Sequence, residues 1–261
     1  MRNLGFLKRI NFLGLLTGAV LIVLWQLAVV SGLLDFDYLP KPTEVASGLR
    51  EIAETGELAE NLQHTLTASL TGWALAAVAG VVVGVVLGLF HPVWKYSMAS
   101  LEALRALPIV AFVPVAVLLL GFTQTMEIVV AFYAALWPIL LNTQAGVRNV
   151  DRRLMEVGDV MGFGRIERLW KLVLPASTSH IVVGLRLGLS ISLVLTLVAE
   201  MVGNPAGLGY ALIQKGQTLN PDQMFAYVIV IGLCGIVLNT ALMLLARIGL
   251  RGQMLAAGDV G

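Results

Sequence analysis

Apolar runs of roughly bilayer-crossing length recur along this chain, at about 12–31, 64–90, 98–120, 126–147, 180–202 and 224–247. A spanning helix needs about 20 predominantly apolar residues. Within lipid no water satisfies backbone amides, so each run must close its own hydrogen bonds as a helix. The expectation is an all-α, polytopic membrane bundle of about six transmembrane helices, read as a single membrane domain over 1–261. Charged residues make up 13% of the 261, against about 25% in soluble domains. The net charge is only +1, so no nucleic-acid partner is expected.

Charge placement orients the bundle. Arg2, Lys8 and Arg9 precede the first run, whereas residues 32–63 carry Lys41 and Arg50 against seven acids. The His91–Lys95 connection is basic, the Gly121–Glu127 connection carries only an acid, and residues 148–171 hold six cations. Basic connections alternate with non-basic ones, which places both termini in the cytoplasm. The first run is expected to stay as an anchor rather than be cleaved as a signal peptide, because it is long for one and lacks an A-x-A site.

Pro108 and Pro114 lie in the third run and Pro138 in the fourth. Prolines free helix carbonyls, which lipid tolerates only where neighbours or water re-satisfy them, so these two helices are expected in the protein interior, lining or flanking a path. Ala68, Gly72, Ala76, Gly80, Gly84 and Gly88 form a small-residue ridge on the second run, suited to close packing on a helix of the same chain or, less favoured, on a second copy. Residues 43–62 predict an amphipathic helix outside the membrane, on the periplasmic side, capped by Thr43.

The connection over 148–175 is the most informative segment. Asp151 is placed to cap a short helix and Gly162 to end it in a left-handed turn. Val150, Leu154, Val157 and Met161 make an apolar stripe that must be buried, either on the chain's own helix ends or in a groove on a partner. Six positions separate Glu156 from Gly162, and Leu172, Val173, Leu174 and Pro175 follow after nine more residues.

This pattern resembles the EAA motif of permeases from binding-protein-dependent ATP-binding-cassette importers. Val157 and Gly158 replace the two alanines, and Leu172 replaces an isoleucine. Leu39-Pro40-Lys41-Pro42, Asn142-Thr143, Gly184-Leu185-Arg186-Leu187, Ala199-Glu200-Met201 and Gly207-Leu208-Gly209 resemble sulfonate, taurine and nitrate-type permeases. The resemblance implies a type I importer permease fold in the bacterial inner membrane. It implies that Glu156, Val157, Gly158, Asp159, Met161, Gly162 and Phe163 dock a coupling helix on an ATPase. The implied assembly is two ATPase copies, which bind ATP and Mg, two copies of this chain as a homodimer, and a periplasmic or lipid-anchored binding protein. Transport by alternating access follows from the same resemblance.

No G-x-x-x-x-G-K-[ST] loop occurs, so no nucleotide site of that type and no enzymatic activity are expected in this chain. No catalytic, cofactor or metal residues are assigned. Arg186 and Glu200 are charges within the fifth run, expected either to snorkel to the surfaces or to serve a path or gate. Ser190 and Thr196, with Ser192, either line that path or bond back to their own helix. Glu102 and Arg105 are spaced to pair with each other or to reach lipid head groups. His64, His91 and His180 sit at run ends and are read as solvated at the interface. Cys234 reads as a small buried hydrophobe. The Gly207–Gly209 segment reads as a turn, with a binding-protein contact as the second reading. An ion-coupled secondary transporter would want mid-membrane carboxylates, and a redox anchor would want paired buried histidines; neither pattern is present.

Overall fold

The computed structural model describes residues 12–34, 36, 38–202 and 204–257. Arg2, Lys8, Arg9, Asp35 and Asp37, used above for charge placement, lie outside them. The described residues form helices: α1 (Phe12–Val30), α2 (Pro42–Glu54), α3 (Glu57–Leu89), α4 (His91–Arg105), α5 (Ile109–Leu120), α6 (Gln124–Arg148), α7 (Arg152–Val160), α8 (Arg165–Arg168), α9 (Leu174–Met201), α10 (Leu208–Gln217) and α11 (Pro221–Ala257). A π turn, Leu169–Val173, joins α8 to α9 without a break in the rod.

Each expected apolar run is helical. Among the described residues, four helices are long and apolar enough to span a membrane unaided: α3, α6, the α8–α9 rod and α11. The third run is not the continuous span expected. It breaks into α4 and α5, bent by 81°. Pro108 causes the break: its ring disfavours helix at the preceding residue, and its own ψ of 114° is extended. Of the two proline-bearing runs, α6 is buried in the bundle, whereas α5 buries only Val113 and Ala116 and α4 buries no side chain.

The chain divides by its internal contacts into two compact units. The first comprises residues up to Leu58 with Leu212–Ile229. Here the amphipathic helix expected over 43–62 is α2 alone. Gly56, at φ +80°, breaks the chain, and residues from Glu57 onward already belong to α3. Lys41, not Thr43, occupies the cap position, because Pro42 is preorganised for the first helical turn. Glu44 Oε2 accepts from the Lys41 backbone N–H at 2.8 Å, and the Lys41 ammonium lies 3.1 Å from Oε1. α2 buries Val45, Gly48 and Ile52, and a Cβ on Gly48 would stand 2.8 Å from the Asp222 backbone.

The second unit comprises Ala59–Ala211 with the chain from Val230. Its centre is α6, clasped between α3 and α9 by missing side chains. A Cβ on Gly72 would lie 2.6 Å from the Ala131 Cβ, and one on Gly84 would lie 2.7 Å from the Leu140 carbonyl. The ridge on α3 therefore packs within this chain, as favoured from spacing. Gly188 of α9 admits Ile139 of α6 in the same way, with a Cβ 2.7 Å from Ile139 Cδ1. Val113, Met126, Val130, Ala134, Leu195 and Ala199 close a core shared by α5, α6 and α9. Hydrogen bonds cross between spans: Trp73 Nε1 donates to the Leu185 carbonyl at 3.0 Å and Ser192 Oγ to the Ser69 carbonyl at 2.7 Å.

Candidate functional site

Three places in the second unit carry more than packing. The first is the 151–175 loop. Asp151 Oδ1 accepts from the Arg153 N–H at 2.9 Å, which starts α7 as expected. Gly162, at φ +71°, ends it, and the Phe163 N–H returns to the Gly158 carbonyl at 3.0 Å. Gly158, which departs from the alanine of the motif, is the buried residue of α7. Its Cβ would stand 2.8 Å from Leu172 Cδ1, so the missing methyl lets α7 lie against the π turn.

The loop is braced from within. Arg168 Nε donates to the Phe163 carbonyl at 2.8 Å and its guanidinium pairs with Asp159. Lys171 stands 4.8 Å from the Phe163 ring centroid and 3.0 Å from Glu167. Glu156, 3.3 Å from Arg152, is exposed. Leu154 turns partly inward, yet Val157 and Met161 on the same stripe remain 50% and 61% exposed. Val160 at 90%, Ile166 at 74% and Trp170 at 67% extend this apolar surface. Those three escaped the sequence reading because Val160 falls off the stripe and the other two lie on a separate helix, past the Gly162 turn.

The second place is a groove of about 560 Å³ between α9 and α11. Arg186 and Ser190 line it, as does Asn239, whose Oδ1 accepts from Arg186 Nε at 2.8 Å. Ser190 Oγ donates back to the Arg186 carbonyl at 3.3 Å. Thr196 is not there; it is fully buried, and among the described residues its hydroxyl has no hydrogen-bond partner. Glu200 is not there either.

Glu200 belongs to the third place, a buried polar cluster where α3, α6 and α9 end. It does not snorkel, for its exposure is 0%. Thr65 Oγ1 donates to Glu200 Oε1 at 2.7 Å and the Gly209 N–H donates to Oε2 at 2.8 Å. Thr65 Oγ1 in turn accepts from the Leu208 N–H at 2.9 Å. Glu127, also 0% exposed, lies with Oε2 2.9 Å from His64 Nε2, and the Asn204 amide donates to Oε1. The Gly207-Leu208-Gly209 turn exists to make this room: at φ +97° Gly207 carries no Cβ where the Glu200 carboxyl stands. His64 is thus a cluster member rather than an interfacial residue. Asn61, His64 and Thr65 at i, i+3, i+4 on one face were the available signal. Glu102 and Arg105, by contrast, are exposed and form no ion pair among the described residues.

A bundle of long apolar helices, with one bent helix pair and a braced loop, is the architecture of a multi-pass membrane protein. Residues 76–251 match the family described as the inner membrane component of binding-protein-dependent transport systems. The chain belongs to that family. It is 32% identical to the aliphatic sulfonates transport permease SsuC of Bacillus subtilis (strain 168), over 90% of this chain and 85% of that protein. It is 30% identical to the taurine transport permease TauC of Escherichia coli (strain K12), over 88% and 86% respectively. With the nitrate import permease NrtB of Synechocystis it shares 27%, over 85% and 82%. Its fold is that of a chain of the inward-facing MetNI methionine ABC transporter, with a TM-score of 0.62 at 19% identity, covering 71% of this chain and 92% of that one. The chain is therefore an importer permease subunit of the ATP-binding-cassette class, similar to the sulfonate, taurine and nitrate permeases.

Proposed function

We propose that the 151–175 loop is the surface through which a separate ATPase drives this permease. The observation that carries the reading is the exposed apolar patch of Val157, Val160, Met161, Ile166 and Trp170 on a loop whose own bonds already fix its shape. Exposed apolar patches of this kind mark interaction sites, and a short amphipathic helix fits a groove on a partner. Glu156, Asp159, Gly162 and Phe163 frame the patch, and Gly158 sets its angle. In this reading the loop and both termini face the cytoplasm. ATP and Mg are bound by two ATPase copies, and two copies of this chain enclose the path. A periplasmic or lipid-anchored binding protein delivers a small solute, passed by alternating access. Arg186 and Ser190 border that path through the α9–α11 groove. The names of the similar permeases make sulfonates, taurine and nitrate the solutes to assay first.

The test is Gly162→Asp in the complete transporter reconstituted in vesicles. A β-carbon at φ +71° strains the turn, and the carboxylate charges the patch edge. The expected outcome is ATP hydrolysis uncoupled from solute uptake, with the melting temperature of the permease little changed. Normal uptake would remove the docking assignment.

A further inference from the structure

We infer that His64, Glu127 and Glu200 form a zinc site that ties the ends of α3, α6 and α9 together. One ligand atom from each lies within 4.8 Å of the others, and His64 Nε2 stands 2.9 Å from Glu127 Oε2. Donors bound to one Zn²⁺ at about 2.0–2.2 Å stand roughly 3.4 Å apart in a tetrahedron, so closure asks for about an ångström of side-chain movement.

Charge is the first argument. Both carboxylates are fully buried, and among the described residues neither pairs with a lysine or arginine. A buried pair of carboxyl groups must either hold protons or meet positive charge, and a divalent cation is one way to supply that charge.

Outer contacts give the second. Carboxylates that hold a metal are oriented by donors on their other oxygen. Here the Asn204 amide holds Glu127 Oε1 and the Gly209 N–H holds Glu200 Oε2. Glu127 Oε2 stands beside His64 Nε2, and the other oxygen of Glu200, Oε1, accepts from Thr65 Oγ1. Thr65 can keep its bond to the latter through the second lone pair of that oxygen.

Donor chemistry selects the ion. One imidazole nitrogen and two carboxylate oxygens, with water in the fourth position, is a set zinc accepts; calcium and magnesium prefer all-oxygen shells. His64 is 21% exposed, so the cluster reaches the surface on its side. The inference is independent of the docking surface, which lies at the opposite end of α6.

The experiment uses the full transporter, purified without a polyhistidine tag, stripped with EDTA, equilibrated with ZnCl2 and gel-filtered. Metal analysis should find one zinc per copy of this chain, and stripping should lower the melting temperature by several degrees. His64→Ala and Glu127→Gln should reduce zinc to background, and Asn204→Ala should weaken its affinity 10–100-fold while keeping the stoichiometry. Should the variants fail to fold, X-ray absorption of the wild type decides: nitrogen and oxygen at about 2.0–2.1 Å support the site, and sulfur ligation overturns it. Background zinc with an unchanged melting temperature overturns the inference. Preferential filling by MnCl2 over ZnCl2 overturns the choice of ion.

Discussion

The two ends of α6 solve opposite problems. Beside its first turn, Glu127, Glu200 and Thr65 are polar groups sealed from water. Beyond its last turn, Val160, Ile166 and Trp170 are apolar groups left open to it. Each arrangement is costly in isolation. Buried polar groups are tolerable only when partnered, and at the first end the chain partners them itself, through Asn204, Gly209 and Leu208. At the second end the chain braces the backbone but leaves the apolar side uncovered. One end gathers its polar groups around bonds within the chain, and the other leaves its apolar side exposed.

The contrast can be broken by experiment. The largest effect is expected at the open end: Trp170→Asp combined with Val160→Asp should cut association with the ATPase by roughly 100-fold or more, in keeping with desolvated aromatic anchors. The melting temperature of the isolated permease should hardly move. A pull-down with the purified ATPase, paired with a thermal scan, checks both halves; destabilisation with binding intact would reverse the assignment of that end.

At the closed end the signature should be the opposite. Thr65→Val removes a donor to Glu200 and the acceptor of the Leu208 N–H. It should destabilise the permease by about 1–3 kcal/mol, the cost of stranding buried polar groups, without weakening ATPase binding. Thermal denaturation in detergent reads the first effect and the same pull-down reads the second.

A subtler test sits where the loop meets the rod. Gly158→Val would press on Leu172, which a single Cβ already approaches to 2.8 Å. Overpacking of this sort costs about 1–3 kcal/mol when nothing yields; here the Leu172 side chain can swing, so the cost falls at the lower limit. The tilt of α7 changes instead, and ATPase affinity should fall by less than in the aspartate double variant.

The smallest effect belongs to neither end and serves as their control. Glu44 is held below its usual carboxylate range, first by the Lys41 backbone N–H and then by the Lys41 ammonium. A carboxylate with a depressed value stabilises the fold above its ordinary 4.5 and loses that contribution as pH falls through the depressed value. Glu44→Gln should therefore differ slightly from wild type at pH 7 and not at all in strong acid. The group is exposed, so solvent screening keeps the difference near the limit of a thermal scan.

Legibility in the sequence followed the same divide. The spans, the Asp151 cap, the Gly162 turn and the packing of the Gly72–Gly84 ridge could be read from local spacing, because each depends on residues within a few turns. The closed end could not. Its members come from positions 64, 127, 200 and 204, and only tertiary structure brings together polar residues that each look like an ordinary helix terminus. Glu200 looked like a snorkelling charge for that reason. The break at Pro108 was half legible: the proline announced a disturbance, but an 81° turn rather than a kink depends on what surrounds it.

The rod from Arg165 to Met201 bears on both ends at once. Its 37 residues span about 55 Å, with Trp170 near one extremity and Glu200 at the other. A stiff body of that length behaves as a lever. If Glu200 is pinned as the fulcrum, a tilt of about 5° at that pivot would sweep the Trp170 extremity through roughly 4 Å.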